Sequence, residues 1–140
     1  MVSTYAGDLS PADAWELLSH EGQAVLIDVR TQPEWQYVGL PDLSPLGRKA
    51  ALASWQVYPA MTINPEFQVE LDAAQPNRAA PTLFLCRSGV RSRDAAIAAT
   101  AAGYGAAYNV AGGFEGDSDS EGHRGRINGW KVAGLPWRQG

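Results

Sequence analysis

Three short apolar runs set the rhythm of the chain: Ala24-Val25-Leu26-Ile27, Thr82-Leu83-Phe84-Leu85 and Ala106-Ala107-Tyr108-Asn109-Val110. Runs of four or five such residues, bounded by Pro, Gly or polar clusters, read as strands buried on both faces, as in a parallel sheet. Between them the pattern turns helical. Ser10-Pro11-Ala12-Asp13 opens a first helix, with Ser10 able to cap, Pro11 suited to the first turn and Asp13 at its positive end. Ala14, Trp15, Leu17 and Leu18 give it an apolar stripe, and His20-Glu21-Gly22 ends it. Asn64-Pro65-Glu66 starts another, with Phe67 and Leu71 on one face. The alanine-rich run from Ser92 to Ala102 predicts a third, with Ser92 as N-cap and Gly103 as the stop. Residues 39–65, broken by Pro41, Pro45, Gly47 and Pro59, read as loop with one strand at Trp55-Gln56-Val57-Tyr58. Strands alternating with helices predict an α/β domain, a parallel sheet with helices on both faces.

Composition narrows the class. The chain has 140 residues, 45% hydrophobic and 19% charged, which fits one globular domain over 1–140. No apolar run approaches the roughly 20 residues that cross a bilayer. Met1-Val2-Ser3-Thr4-Tyr5 lacks the basic and apolar segments of a signal peptide. A net charge of −4 argues against a nucleic-acid or anionic-membrane binder. A single cysteine excludes an internal disulfide and suits a reducing cytoplasm.

That cysteine lies in the densest chemistry of the chain, Cys86-Arg87-Ser88-Gly89-Val90-Arg91-Ser92, between an expected strand and an expected helix. Free N–H groups of a helix start, together with Arg87 and Arg91, favour a thiolate there. Gly89 permits a tight turn with positive φ, and Arg91 offers a fixed charge at the pocket mouth to an anion. Asp28 and Arg30 close the first apolar run at the end where α/β sheets place ligands, and read as anchors of the neighbouring loops. Other polar clusters read as surface. Arg48 and Lys49 are two adjacent solvated bases, and His20 is a spectator. The acidic loop from Glu115 to His123 lacks the ligand spacing of a calcium site. No metal or cofactor is expected.

The cysteine loop resembles the active-site loop of the rhodanese family of sulfurtransferases, Cys-Arg-x-Gly-x-(Arg or Thr). Three further blocks resemble that family in the same order: Asp28-Val29-Arg30 with Glu34-Trp35, Tyr108 to Gly113, and Asn128-Gly129-Trp130-Lys131 with Gly134-Leu135-Pro136. The resemblance implies a five-stranded, mainly parallel sheet with the reactive loop at the C-terminal edge of its strands. It also implies that Arg30 pairs with Glu34, making Asp28, Arg30 and Glu34 supports. The implied activity is transfer of a sulfane sulfur through a Cys86 persulfide, from a small anionic donor such as thiosulfate to a thiol, cyanide or a protein. One block departs: Val38-Gly39-Leu40-Pro41-Asp42-Leu43 and a longer insertion stand where the family has Gly-His-Ile-Pro-Gly-Ala. Two rival readings are a cysteine phosphatase or arsenate reductase, and a non-catalytic binding module. The first uses five residues between Cys and Arg, against four here; the second often lacks the cysteine.

Overall fold

The computed structural model describes residues 4–139; Met1–Ser3, part of the N-terminal segment read above, and Gly140 lie outside the described residues. The elements run β1 (Gly7–Leu9), α1 (Pro11–His20), β2 (Val25–Asp28), α2 (Gln32–Tyr37), β3 (Leu40–Pro41), β4 (Ala51–Leu52), β5 (Gln56–Val57), β6 (Thr62–Ile63), α3 (Phe67–Ala74), β7 (Thr82–Leu85), α4 (Val90–Ala101), β8 (Ala107–Val110) and β9 (Trp137–Arg138). Five strands form one sheet in the order β1-β8-β7-β2-β4, every pair parallel. The three strands expected from apolar runs form its centre. No helix among the described residues is long and apolar enough to cross a membrane.

Alternation along the strands divides the core into two layers. Ile27, Phe84 and Ala107 face α3 and α4, where Phe67, Leu71, Ala95, Ala96 and Ala99 meet them. Leu26, Leu83 and Leu85 face the other way, onto Ala14 and Leu18 of α1 and the fully buried Trp130. On α4 the buried positions Ser92, Ala95, Ala96 and Ala99 form one stripe of small residues, which lets this helix lie close against the sheet. Trp130 packs edge-on to Trp15 at 5.9 Å, and its indole N–H donates to the Pro136 carbonyl at 2.7 Å. Trp137 lies at the edge, its strand β9 antiparallel to β3, and so fastens the C-terminal segment.

Two strands of the sheet carry no sequence signal. β1 reads Gly-Asp-Leu and β4 is two residues long; each is an edge strand held by the ladder of its neighbour. The segment expected as a strand at 55–58 instead gives β5, paired antiparallel with β6 and outside the main sheet. Trp55 is drawn inward there by an edge-to-face contact with Phe67 at 5.1 Å. Arg48 is likewise structural, its guanidinium donating to the carbonyls of Ala24 and Glu21 at 3.0 and 2.8 Å.

Candidate functional site

Cys86 follows β7, the central strand, at the C-terminal edge of the sheet. It lies two residues beyond Phe84 and therefore points to the same face, under the start of α4, where it is 1% exposed. The turn between strand and helix needs Gly89, whose φ is +112°. That geometry aims the Gly89 N–H at Cys86 Sγ, 3.1 Å away. Gly89, not Ser92, is the N-cap of α4. The sequence expectation fails because Ser92 sits a turn further in. It is fully buried, with Oγ 3.2 Å from Cys86 Sγ and 2.5 Å from Asn109 Oδ1. The N–H groups of Val90, Arg91 and Ser92 precede the first helical bond, Arg93 N–H to the Gly89 carbonyl at 3.2 Å. Among the described residues they are the unpaired donors of a helix start.

The loop rests on a floor supplied by the Gly112-Gly113 turn. Phe114 N–H donates to the Cys86 carbonyl at 2.8 Å, and the N–H groups of Glu115 and Gly116 donate to the Arg87 carbonyl at 3.0 and 3.1 Å. A Cβ at Gly113 would meet Cys86 and Arg87 backbone atoms at 2.5 Å. Around the buried sulfur Arg87 and Val90 are exposed and Ser88 is partly so; Val90 is 60% exposed, and among the described residues Arg87 forms no ion pair.

Arg91 is not free at the mouth. Its Nη1 and Nη2 donate to Glu34 Oε1 and Oε2 at 2.7 and 2.8 Å. Glu34 is itself held at the start of α2, where the Thr31 N–H and hydroxyl donate to Oε1 at 3.1 and 3.0 Å. Burial alone would raise the Glu34 carboxyl, but the Arg91 hydrogen bonds and charge and the Thr31 donors outweigh it and hold it at about 2. Arg91 is raised above its usual value, first by those same hydrogen bonds, against the opposing effect of burial.

The expected Arg30–Glu34 pair is therefore replaced. Arg30, fully buried, donates from Nε to Asp28 Oδ1 and Oδ2 at 3.0 and 3.2 Å and from Nη2 to Asp28 Oδ2 at 2.7 Å. Nη2 also reaches the Gly39 carbonyl at 2.7 Å. The Asp28 carboxylate, two residues away at the same strand end, takes the Arg30 guanidinium, while both Glu34 oxygens are already engaged by Arg91. The guanidinium lies 4.4 Å from the centre of the Phe114 ring. Through Phe114, this pair supports the floor beneath Cys86 without touching the loop.

Asn109 is the site residue that sequence reasoning passed over. It is 4% exposed, its Nδ2 donates to Asp8 Oδ1 at 3.1 Å, and Asp8 Oδ1 also accepts from the Tyr5 hydroxyl at 2.7 Å. A signal was present: an asparagine inside an apolar strand has to find buried partners.

A parallel α/β domain that presents a cysteine in an N–H-lined turn at the end of its central strand defines a class of cysteine-loop proteins. Within it, the rhodanese-like domain model matches residues 10–119, and the chain belongs to that family. It is similar to Rv0390 from M. tuberculosis, whose crystal structure superposes with a TM-score of 0.90 at 52% identity over 98% of this chain and 100% of the other. An uncharacterized protein of Rickettsia conorii is 38% identical over 126 residues, 89% of this chain and 91% of that protein. The thiosulfate sulfurtransferase GlpE of Actinobacillus pleuropneumoniae is 28% identical over 129 residues, 92% and 90% of the two chains.

Proposed function

We propose that this protein is a sulfurtransferase, acting as one domain over residues 1–140 in the reducing cytoplasm, with Cys86 as its sulfur carrier. The observation that carries the reading is the buried Cys86 Sγ beneath a helix start, with the Gly89 N–H 3.1 Å from it. The likeness to a protein named thiosulfate sulfurtransferase supports a thiosulfate-like donor.

The Cys86 thiolate attacks the outer, sulfane sulfur of the donor. The donor S–S bond breaks, and its electron pair leaves with sulfite. The new persulfide carries its negative charge on the terminal sulfur, where the donors of Val90, Arg91 and Ser92 at the helix start stabilise it. A thiol, cyanide or a protein acceptor then attacks that sulfur, and the Cys86 thiolate departs with the electron pair of the Sγ–S bond. With one cysteine in the chain, no internal disulfide can discharge the persulfide, so the sulfur leaves to another molecule. Arg87 meets the anionic donor at the mouth, flanked by Ser88 and Val90. Arg91, Glu34, Asp28 and Arg30 hold the loop and its floor.

Intact mass after incubation with thiosulfate, followed by thiocyanate formation with cyanide, tests the reading. One added sulfur atom on wild-type protein, absent in a stably folded Cys86→Ser, is expected. Turnover unchanged in Cys86→Ser would end it.

A further inference from the structure

From the buried sulfur a continuous hydrogen-bonded chain runs to the sheet edge: Cys86, Ser92, Asn109, Asp8, Tyr5. Its members come together for a reason of register. Phe84, Asn109 and Asp8 lie in one row across β7, β8 and β1, so Asn109 shares the face on which Cys86 and α4 meet. The chain also has a direction. An ionised carboxylate only accepts hydrogen bonds, so Asp8 draws the Nδ2 of Asn109 and turns Oδ1 towards Ser92. An amide oxygen likewise only accepts, so the Ser92 hydroxyl, 2.5 Å away, must give it its single hydrogen. What Ser92 then offers Cys86, 3.2 Å away, is a lone pair. A lone pair fits the S–H of a thiol and opposes a thiolate.

We propose that Asp8 and Asn109 are positioning residues of the cysteine site: they fix which way the Ser92 hydroxyl points and so bias the resting Cys86 towards the thiol. This works against the helix start and the Gly89 N–H, which favour the thiolate. Anything that lets Asn109 turn over, presenting Nδ2 to Ser92, hands the Ser92 hydrogen to the sulfur. The inference concerns the sulfur itself, and alkylation reads it whether or not the protein transfers sulfur.

The test is the rate of iodoacetamide alkylation of the folded protein at pH 7, in four forms: wild type, Asp8→Asn, Ser92→Ala and the double variant. Asn at position 8 keeps the size of Asp but can donate, so it accommodates the turned-over Asn109. A hydrogen bond gained by a charged acceptor enlarges the thiolate fraction about tenfold or more. After allowing for lower intrinsic nucleophilicity, Asp8→Asn should be alkylated about threefold faster than wild type or more. On the Ser92→Ala background the same change should do nothing, because the hydroxyl it redirects is gone. A structural effect of Asp8 would appear equally on both backgrounds. An unchanged or slower rate in Asp8→Asn, or an equal acceleration with Ser92→Ala, overturns the proposal. Should Ser92→Ala not fold, Asn109→Ala supplies the second arm: it removes the acceptor, frees the same hydroxyl and should quicken alkylation, and a rate no faster than wild type overturns the proposal.

Discussion

Arg91 of the cysteine loop and Glu34 of the helix after β2, 57 positions apart, form a two-point ion pair with N–O distances of 2.7 and 2.8 Å. Parallel bonds of this kind fix orientation as well as distance. The pair therefore clamps the start of α4 to α2, and the charge of Arg91 is already answered before any substrate arrives. A cation in the sequence motif is thus a structural tie in the fold.

Removing one partner should cost more than removing both. With both side chains only 17% and 20% exposed, either single change strands a half-buried charge. Arg91→Gln should lower stability by about 2–4 kcal/mol, whereas Glu34→Gln/Arg91→Gln should recover much of that. Thermal melts of the three variants decide it; additive losses would mean that the pair contributes nothing as a pair.

The same carboxylate gives an acid limb to the stability curve. Glu34 is held at about 2 against an ordinary 4.5, a depressed acid. Its contribution is therefore fully present above about pH 5 and is lost as pH falls from there towards 2. The depression is linked to about 3 kcal/mol. Urea melts between pH 6 and 2 should show a steeper loss in wild type than in Glu34→Gln. Parallel curves would remove Glu34 from the acid transition.

Donor charge should be felt at Arg87 instead. Arg87→Gln should raise KM for thiosulfate several-fold and leave that for a neutral persulfide donor nearly unchanged, with added salt narrowing the difference. Arg91→Gln should slow both donors alike, because it disturbs the loop. A thiosulfate-selective effect at Arg91, with none at Arg87, would reverse these assignments.

The central strands and the long helices were legible because each carries its own apolar pattern. β1 and β4 were not, since three and two residues at a sheet edge take their conformation from the neighbouring strand. Cys86, Gly89 and the loop stood out as a contiguous motif. Its pairings did not: which acid meets Arg30 and which meets Arg91 depends on where α2 falls relative to the strand ends. Ser92 illustrates the same limit. At the start of an alanine run it looks like a cap, but a glycine with positive φ three residues earlier already ends the turn, leaving Ser92 buried against the sulfur.

The loop floor makes a sharp prediction at Gly113. Its φ is +63°, and an added Cβ would overlap backbone atoms of Cys86 and Arg87 at 2.5 Å, atoms that cannot swing aside. Gly113→Ala should displace the loop, lower the melting temperature and abolish turnover. Gly122→Ala is the control: φ is +81° but nothing lies within 4 Å of the added atom, so only backbone strain of about 1 kcal/mol is expected. Equal melting temperatures and activities for both variants would mean that the close approach at Gly113 does not hold the loop.

Ring size and the Glu34 clamp together bear on the phosphatase alternative. Enzymes that grip a tetrahedral oxyanion need a wider loop and an arginine free to embrace it. Here four residues separate Cys86 from Arg91, and the Arg91 guanidinium is spent on Glu34. The protein should therefore hydrolyse aryl phosphates no faster than its Cys86→Ser variant. Phosphate and arsenate should inhibit sulfur transfer only weakly, by competing near Arg87. Inserting a glycine between Ser88 and Gly89 should shift the Gly89 N–H off Cys86 Sγ and slow sulfur transfer. Oxyanion affinity should then rise only when Glu34→Gln also releases Arg91, which separates loop width from charge as the limiting factor. If the unaltered protein instead hydrolyses aryl phosphates faster than it moves sulfur, the sulfurtransferase reading gives way to the phosphatase one.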